Sequence, residues 1–167
     1  LMGSVNSQSE LLDRIARLTT QVLRVRKCSI MMLLPDGSAL APVAKTGLEE
    51  GEIGTQKLVP GSGIPGWVWE NYEPIIVHTP RLDPRFSGDP PAWYPEKSYL
   101  AVPMIDEDLM GVIMISGRGH PFSPADREVL LALTEQAVIA LANIRLIEQH
   151  QDLVVSSLRS IANVVEM

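Results

Sequence analysis

The sequence predicts an α+β fold: an antiparallel β-sheet of five to six strands, with amphipathic helices before and after it. Three observations carry that prediction. Two pairs of β-forming segments, each joined by a tight polar turn, lie at 28–46 and 99–116; an apolar period of 3.6 marks a helix at each end; and 167 residues, 46% of them hydrophobic, suffice for one core.

Leu11, Ile15, Leu18, Val22 and Val25 recur at spacings of four and three, the stripe of a helix over residues 5–25. Apart from Ser29, residues 28–34 are apolar at successive positions, Pro35-Asp36-Gly37 turns the chain, and 39–46 returns as a second strand. Continuous apolarity means that both faces of the first strand are covered, which places it inside the sheet. The glycines of Pro60-Gly61-Ser62-Gly63 precede a short helix, and 74–78 reads as a third strand ending at His78. Over 79–97, Pro80, Pro84, Pro90, Pro91 and Pro95 exclude a helix or a central strand and leave a loop long enough to cover a ligand. Residues 99–105 and 109–116 flank the acidic turn Asp106-Glu107-Asp108 as a second hairpin. Ser123-Pro124-Ala125-Asp126 has an N-cap hydroxyl, a proline at the first helical position and an acid three residues after the cap, so the last helix starts there.

Apolar residues in that helix follow a seven-residue repeat. One column holds Leu130, Ala137, Ile144, Leu158 and Val165; the other holds Leu133, Ala140, Ile147, Val154 and Ile161; Gln151 interrupts the first. A helix of roughly 40 residues runs about 60 Å, beyond the body of a domain this size. The predicted cover for its stripe is a second copy of the chain: a homodimer through Leu130, Ile144, Ile147, Val154, Leu158 and Ile161. From Leu130 to Ile144, packing on the sheet is an equal alternative. Gln151 either sets the register of the pair or is a polar residue tolerated at a wet seam.

Composition removes several function classes. A net charge of -6 and a pI near 5.0 argue against nucleic acid as a direct partner. One cysteine, Cys28, allows neither an intrachain disulfide nor a thiolate metal cage, and points to a reducing, cytoplasmic setting. No unbroken apolar run approaches the roughly 20 residues of a membrane span, and no secretory pattern opens the chain. Leu1-Met2-Gly3-Ser4 reads as a cloning scar, and the helical pattern still runs at Met167, so the chain reads as part of a longer protein. His120 and His150 have no Cys, Asp or Glu at ligand spacing, so no metal site is expected. No nucleophile elbow is present, and no catalytic residue is assigned.

Several stretches resemble the GAF family in order and spacing. They are Pro60-Gly61-Ser62-Gly63-Ile64-Pro65-Gly66-Trp67-Val68, Asp83-Pro84-Arg85-Phe86, Ser98-Tyr99-Leu100-Ala101-Val102-Pro103-Met104 with Leu109-Met110-Gly111-Val112-Ile113, and Phe122-Ser123-Pro124-Ala125-Asp126. The resemblance implies terminal helices on one face of an antiparallel sheet and, on the other, a ligand pocket capped by loops and short helices. Residues 1–4 are then the scar, 5–148 the GAF domain, and 149–167 a signalling helix leading to an output domain.

The candidate ligand-binding residues follow from that pocket. Trp67, Trp69, Phe86, Trp93, Tyr94 and Tyr99 can stack on a planar small-molecule effector, or can fill a small core and pin the loop. Arg81 and Arg85 can hold a phosphate or carboxylate, or brace the loop. His78, at a strand end beside the pocket, can ligate haem iron or merely hydrogen-bond. Cyclic-nucleotide-binding members carry an Asn-Lys pair where Ser116-Gly117 stands, and here Arg127 follows Asp126, which disfavours that ligand. Bilin attachment needs a reachable thiol, and Cys28 lies in a mid-sheet strand. No cofactor is assigned.

Three functions are in view: a sensory module that passes ligand binding through paired C-terminal helices, a ligand-free dimerisation module, and an enzyme resembling free methionine sulfoxide reductases. The third needs a nucleophilic and a resolving thiol, and this chain has one cysteine. Ser157-Leu158-Arg159-Ser160-Ile161-Ala162-Asn163-Val164-Val165-Glu166 resembles the helix that opens HD-GYP phosphodiesterase domains, which suggests an output domain in cyclic di-GMP signalling; a histidine kinase or diguanylate cyclase is the alternative.

Overall fold

The computed structural model describes residues 2–166, with side chains described from 7 to 165. Leu1, the first residue of the expected scar, and Met167, the last of the expected helical pattern, lie outside the described residues. In chain order the elements are α1 (Met2–Leu23), β1 (Lys27–Leu33), β2 (Leu40–Thr46), α2 (Gly63–Asn71), β3 (Ile75–His78), β4 (Ser98–Asp106), β5 (Asp108–Ser116) and α3 (Pro124–Glu166), with a 3-10 turn at Pro91–Trp93. The five strands form one antiparallel sheet in the order β2-β1-β5-β4-β3. Both hairpins are present, and Glu107 alone, at φ 62°, reverses the chain between β4 and β5.

Both faces of the sheet are covered, which is why β1, β4 and β5 read as continuous apolar runs. On one face Leu12, Ala16 and Leu23 of α1 and Leu130, Ala137 and Leu141 of α3 pack on Cys28, Ile30, Val102, Ile113 and Ile115. The alternate residues Met31, Tyr99, Val112 and Met114 point the other way. There they meet Ile53, Leu58, Ile64, Val68, Phe86 and Tyr94, contributed by the 49–58 segment, α2 and the proline-rich loop.

Two details differ from expectation. The face that α1 lays on the sheet is Leu12, Ala16, Thr19 and Leu23, while Leu18 and Val22 of the periodic stripe are 48% and 49% exposed. The small Ala16 and Thr19, whose hydroxyl donates to the Ile15 carbonyl at 2.7 Å, let the helix lie close; of the periodic stripe Val25 is buried, Leu11 and Ile15 are partly buried against the core, and Leu18 and Val22 face outward. Leu130, expected in a dimer seam, is instead fully buried against the sheet with Ala137 and Leu141. Of the two packings open to 130–144, the helix–sheet one is observed for Leu130, because that side of α3 covers strands that would otherwise be wet.

At 43 residues α3 extends about 64 Å. By length and composition it meets the requirement of a membrane span, with a window of mean hydropathy 1.6 although polar residues interrupt its apolar runs. Leu130, Thr134, Ala137 and Leu141 are buried on the sheet, so its first turns serve as a core helix.

The start of α3 is capped as expected. Ser123 donates from its backbone N–H and hydroxyl to Asp126 Oδ2 at 2.7 and 2.9 Å, and Asp126 N–H donates to Ser123 Oγ at 3.4 Å. Arg118, stacked 4.3 Å from the Phe122 ring centre, donates to both carboxylate oxygens of Asp126. Hydrogen bonding from Arg118, chiefly, lowers the Asp126 carboxyl to about 2. A depressed acid stabilises the fold above its unfolded value, near 4, and that stabilisation is lost as pH falls through about 2. Asp126→Asn should therefore cost about 1–2 kcal/mol at pH 7 by urea denaturation. The difference from the parent should shrink steadily below pH 4.

Candidate functional site

The face opposite the helices is where the aromatic residues gather, and the 49–58 segment is what brings them together. Gly63 opens α2 at φ 67°, and a Cβ there would lie 2.8 Å from Ile53 Cδ1. With that space open, Ile53 reaches the core at 1% exposure and its N–H donates to the Trp93 carbonyl at 3.0 Å. Trp93 Nε1 donates to the Gln56 amide oxygen at 3.0 Å once that amide is oriented to satisfy its neighbours.

Tyr94 stands at the centre of the cluster. Its ring meets Tyr99 at 5.5 Å, Trp93 at 6.3 Å and Phe86 at 6.5 Å between centroids, all edge to face. Phe86, Tyr94 and Tyr99 are 3%, 3% and 2% exposed. The Tyr94 hydroxyl donates to Asp89 Oδ2 at 2.6 Å, and the Tyr99 hydroxyl accepts from the Glu96 N–H at 3.0 Å. Burial first, and for Tyr94 the Asp89 hydrogen bond next, push both phenols well above the ordinary range. These three rings therefore plug the face and tie down the loop.

The base of the loop is held by charge. Lys27 Nζ lies 2.8 Å from Glu52 Oε1 and 3.1 Å from Glu96 Oε1, and Arg26 Nη2 reaches the same Glu96 oxygen at 3.0 Å. Burial pulls the Lys27 ammonium down, but its hydrogen bonds to Glu52 and Glu96 outweigh that and leave it raised. One cation thus fastens the 49–58 segment and the loop's end to β1.

Other candidate residues are placed around this plug. Trp67 and Trp69 are half-buried at its rim. Arg85 lies 5.4 Å above the Trp67 ring and 5.5 Å from Phe86, and is paired with Asp83 at 2.7 and 3.0 Å; its hydrogen bonds lower the Asp83 carboxyl. Arg81 donates to the Pro91 carbonyl at 3.1 Å. Both arginines brace the loop in this state. His78 is exposed, with Nδ1 3.2 Å from Ser98 Oγ, at a polar hollow of about 400 Å³ between the ends of β3 and β4 and the β5–α3 connection. Arg81 lines a neighbouring hollow of about 260 Å³ across the Thr79–Lys97 hydrogen bond. His78 is thus outside the aromatic plug, whereas Arg81 shares its hollow with Tyr94.

Ile53, Glu52 and Gln56 complete the plug and were not singled out from sequence. Their only local signal is the pair Gly51 and Gly54, at φ 93° and 95°, which marks a turning segment without saying where it docks. Cys28 is fully buried, and burial pushes its thiol up to about 12.

The second candidate surface is α3 itself. After Leu141, buried, no residue of the described part of the helix is buried. Ile147, Val154, Leu158 and Ile161 are 58%, 44%, 61% and 61% exposed. Within the domain body, Leu133, Ala137 and Ala140 border a groove of about 320 Å³ shared with Leu11, Ile15 and Leu18 of α1. The column Leu133, Ala140, Ile147, Val154, Ile161 therefore runs from this groove to the far end of α3.

Comparison with known proteins agrees with this architecture. The GAF domain matches residues 5–142. The GAF domain of a phosphoenolpyruvate-protein phosphotransferase from Coxiella burnetii is 21% identical, with a TM-score of 0.72, over 85% of this chain and 86% of that one. A free methionine-R-sulfoxide reductase from Neisseria meningitidis, in complex with its substrate, is 16% identical with a TM-score of 0.71, over 84% and 81%. A GAF domain/HD domain protein from Geobacter sulfurreducens is 18% identical with a TM-score of 0.65, over 83% and 94%. At these identities the three share the fold with this chain.

If the plug holds the loop, Tyr94→Ala should cost ~3–4 kcal/mol in chemical denaturation. Tyr94→Phe, which loses only the bond to Asp89, should cost ~1 kcal/mol. Hydrogen exchange should accelerate across 79–97 in the alanine variant while the β1 and β5 amides stay protected.

Proposed function

The chain belongs to the GAF domain family, a family of sensory and regulatory domains of signalling proteins, and from that premise we propose that it is a non-catalytic regulatory module acting as a parallel homodimer through α3. The observation that supports this most is the run of exposed apolar residues beyond Leu141. Left alone, that stripe keeps apolar surface in water over several turns; against its own copy it becomes a coiled-coil seam. Ile144, Ile147, Val154, Leu158 and Ile161 are the seam residues of this reading, and Leu18 and Val22 of α1 widen it beside the domain body. Gln151, within the seam, opposes its own copy and sets the register.

Residues 5–148 then form the regulatory body and 149–167 the signalling helix to an output domain on the same polypeptide. The resemblance of 157–166 to the opening helix of HD-GYP domains supports an output of that class, in cytoplasmic cyclic di-GMP signalling. Conversion to a reductase of the methionine sulfoxide type is opposed by Cys28, a lone, buried thiol without a resolving partner.

Burial of Phe86, Tyr94 and Tyr99 favours a body that works without a ligand beneath the loop. A second reading, a planar effector stacked at that site, draws on the half-buried Trp67, Trp69 and Trp93 and on Arg85 above Trp67. Such an effector transmits only by favouring one arrangement of the helix pair.

Native mass spectrometry tests both readings. A dimer without added mass is expected; a dimer carrying a small molecule released on denaturation would favour the second reading, and a monomer would overturn both. Ile147→Glu with Leu158→Glu should yield a monomer with the circular dichroism of a folded domain, because both side chains lie outside the body's core.

A further inference from the structure

The polar hollow at the strand ends has no part in helix pairing. It is lined from three elements: His78 at the end of β3 with Thr79 after it, Lys97 and Ser98 entering β4, and the 118–121 stretch of the β5–α3 connection. Its charges are unevenly committed. Glu96, the acid on its wall, is held by Lys27 and Arg26 at 3.1 and 3.0 Å. Arg118 is spent on Asp126 and on the carbonyls of His120 and Pro121. By contrast, among the described residues the Lys97 ammonium, the His120 ring and the Thr79 hydroxyl make no hydrogen bond or ion pair, and His78 uses only Nδ1.

The unspent groups are all donors or potential cations, in a protein whose net charge is -6. Thr79, a β-branched residue, is held at φ 52°, a conformation such residues avoid, by its N–H to the Lys97 carbonyl. That rung fixes the ends of β3 and β4 so that Lys97 and His78 border the same space. Arg81 lies in the adjoining hollow beyond it.

We propose that this hollow binds a phosphate dianion, either free or as the phosphoryl group of a small metabolite. A planar carboxylate is best matched by an arginine fork, whereas separated donors of three kinds, an ammonium, two imidazoles and a hydroxyl, suit the several oxygens of a tetrahedral anion. A volume of about 400 Å³ exceeds what one phosphate fills and leaves room for a short organic tail. The bound group abuts the connection that ends at the Ser123 cap of α3, so occupancy bears directly on how that helix is seated. The site does not depend on dimerisation, and its failure would leave the helix-pairing proposal standing.

The test is an NMR titration of the whole chain at constant ionic strength, with inorganic phosphate, glycerol phosphate and sodium chloride as probes. Saturable shifts at the His78 and His120 rings and the Gly119 amide are expected with the first two and not with chloride. Lys97→Gln should weaken binding about tenfold, the loss of one charge-assisted contact. Lys45→Gln, on the opposite edge strand, should leave it unchanged. Tighter binding of glycerol phosphate would identify a metabolite's phosphoryl group as the ligand, and tighter binding of inorganic phosphate the free anion. No saturable shift, shifts spread over the surface, or equal affinity in Lys97→Gln would overturn the proposal.

Discussion

The seating of α3 on the sheet is the contact on which the rest of the molecule depends. Leu130, Thr134, Ala137 and Leu141 are consumed by the helix–sheet core, which fixes both where the helix leaves the body and which of its sides faces outward. Arg118, Asp126 and Ser123 hold its first turn at the end of the sheet where β1 begins and β5 ends. A helix anchored over its first turns and free beyond them acts as a lever: a small change in seating at the sheet becomes a larger displacement at the distal end.

That geometry also divides the two apolar columns of α3. One column is claimed by the sheet up to Ala137 and becomes free from Ile144 onward; the other is accessible along its whole length, bordered in the body by Leu11, Ile15 and Leu18. A second copy would therefore meet a surface built from both terminal helices near the body and from α3 alone further out. On the far side of the sheet the loop is locked by aromatic packing among Phe86, Trp93, Tyr94 and Tyr99 and by the Lys27–Glu52–Glu96 cluster, which draws on residues distant in sequence.

What was legible in the sequence was mostly local. The capping box at Ser123, the two hairpins and the mid-sheet position of β1 depend on neighbours within a few residues or on a simple period, and each is found as read. Period alone does not say which of two adjacent stripes faces inward. On α1 the choice falls to Leu12, Ala16 and Leu23 because small residues allow close approach, and on α3 to Leu130 because bare strands lie beneath it. The aromatic clustering between Trp67 and Phe122 was visible. That Phe86, Tyr94 and Tyr99 fill the face was not, because it depends on Ile53 arriving from a segment with no regular structure. Lys27, Glu52 and Glu96 likewise carry no shared spacing from which their cluster could be read.

Pairing through the free part of α3 is the central claim, and the single buried cysteine makes it directly testable, since Cys28 will not compete for oxidation. The measurement is disulfide cross-linking of two single variants, Val154→Cys in the predicted seam and Gln149→Cys on the opposite side of the helix. In a parallel pair Val154→Cys should oxidise rapidly to a covalent dimer while Gln149→Cys remains largely monomeric under the same conditions. Equal rates at the two positions, or no cross-link at position 154, would contradict the account.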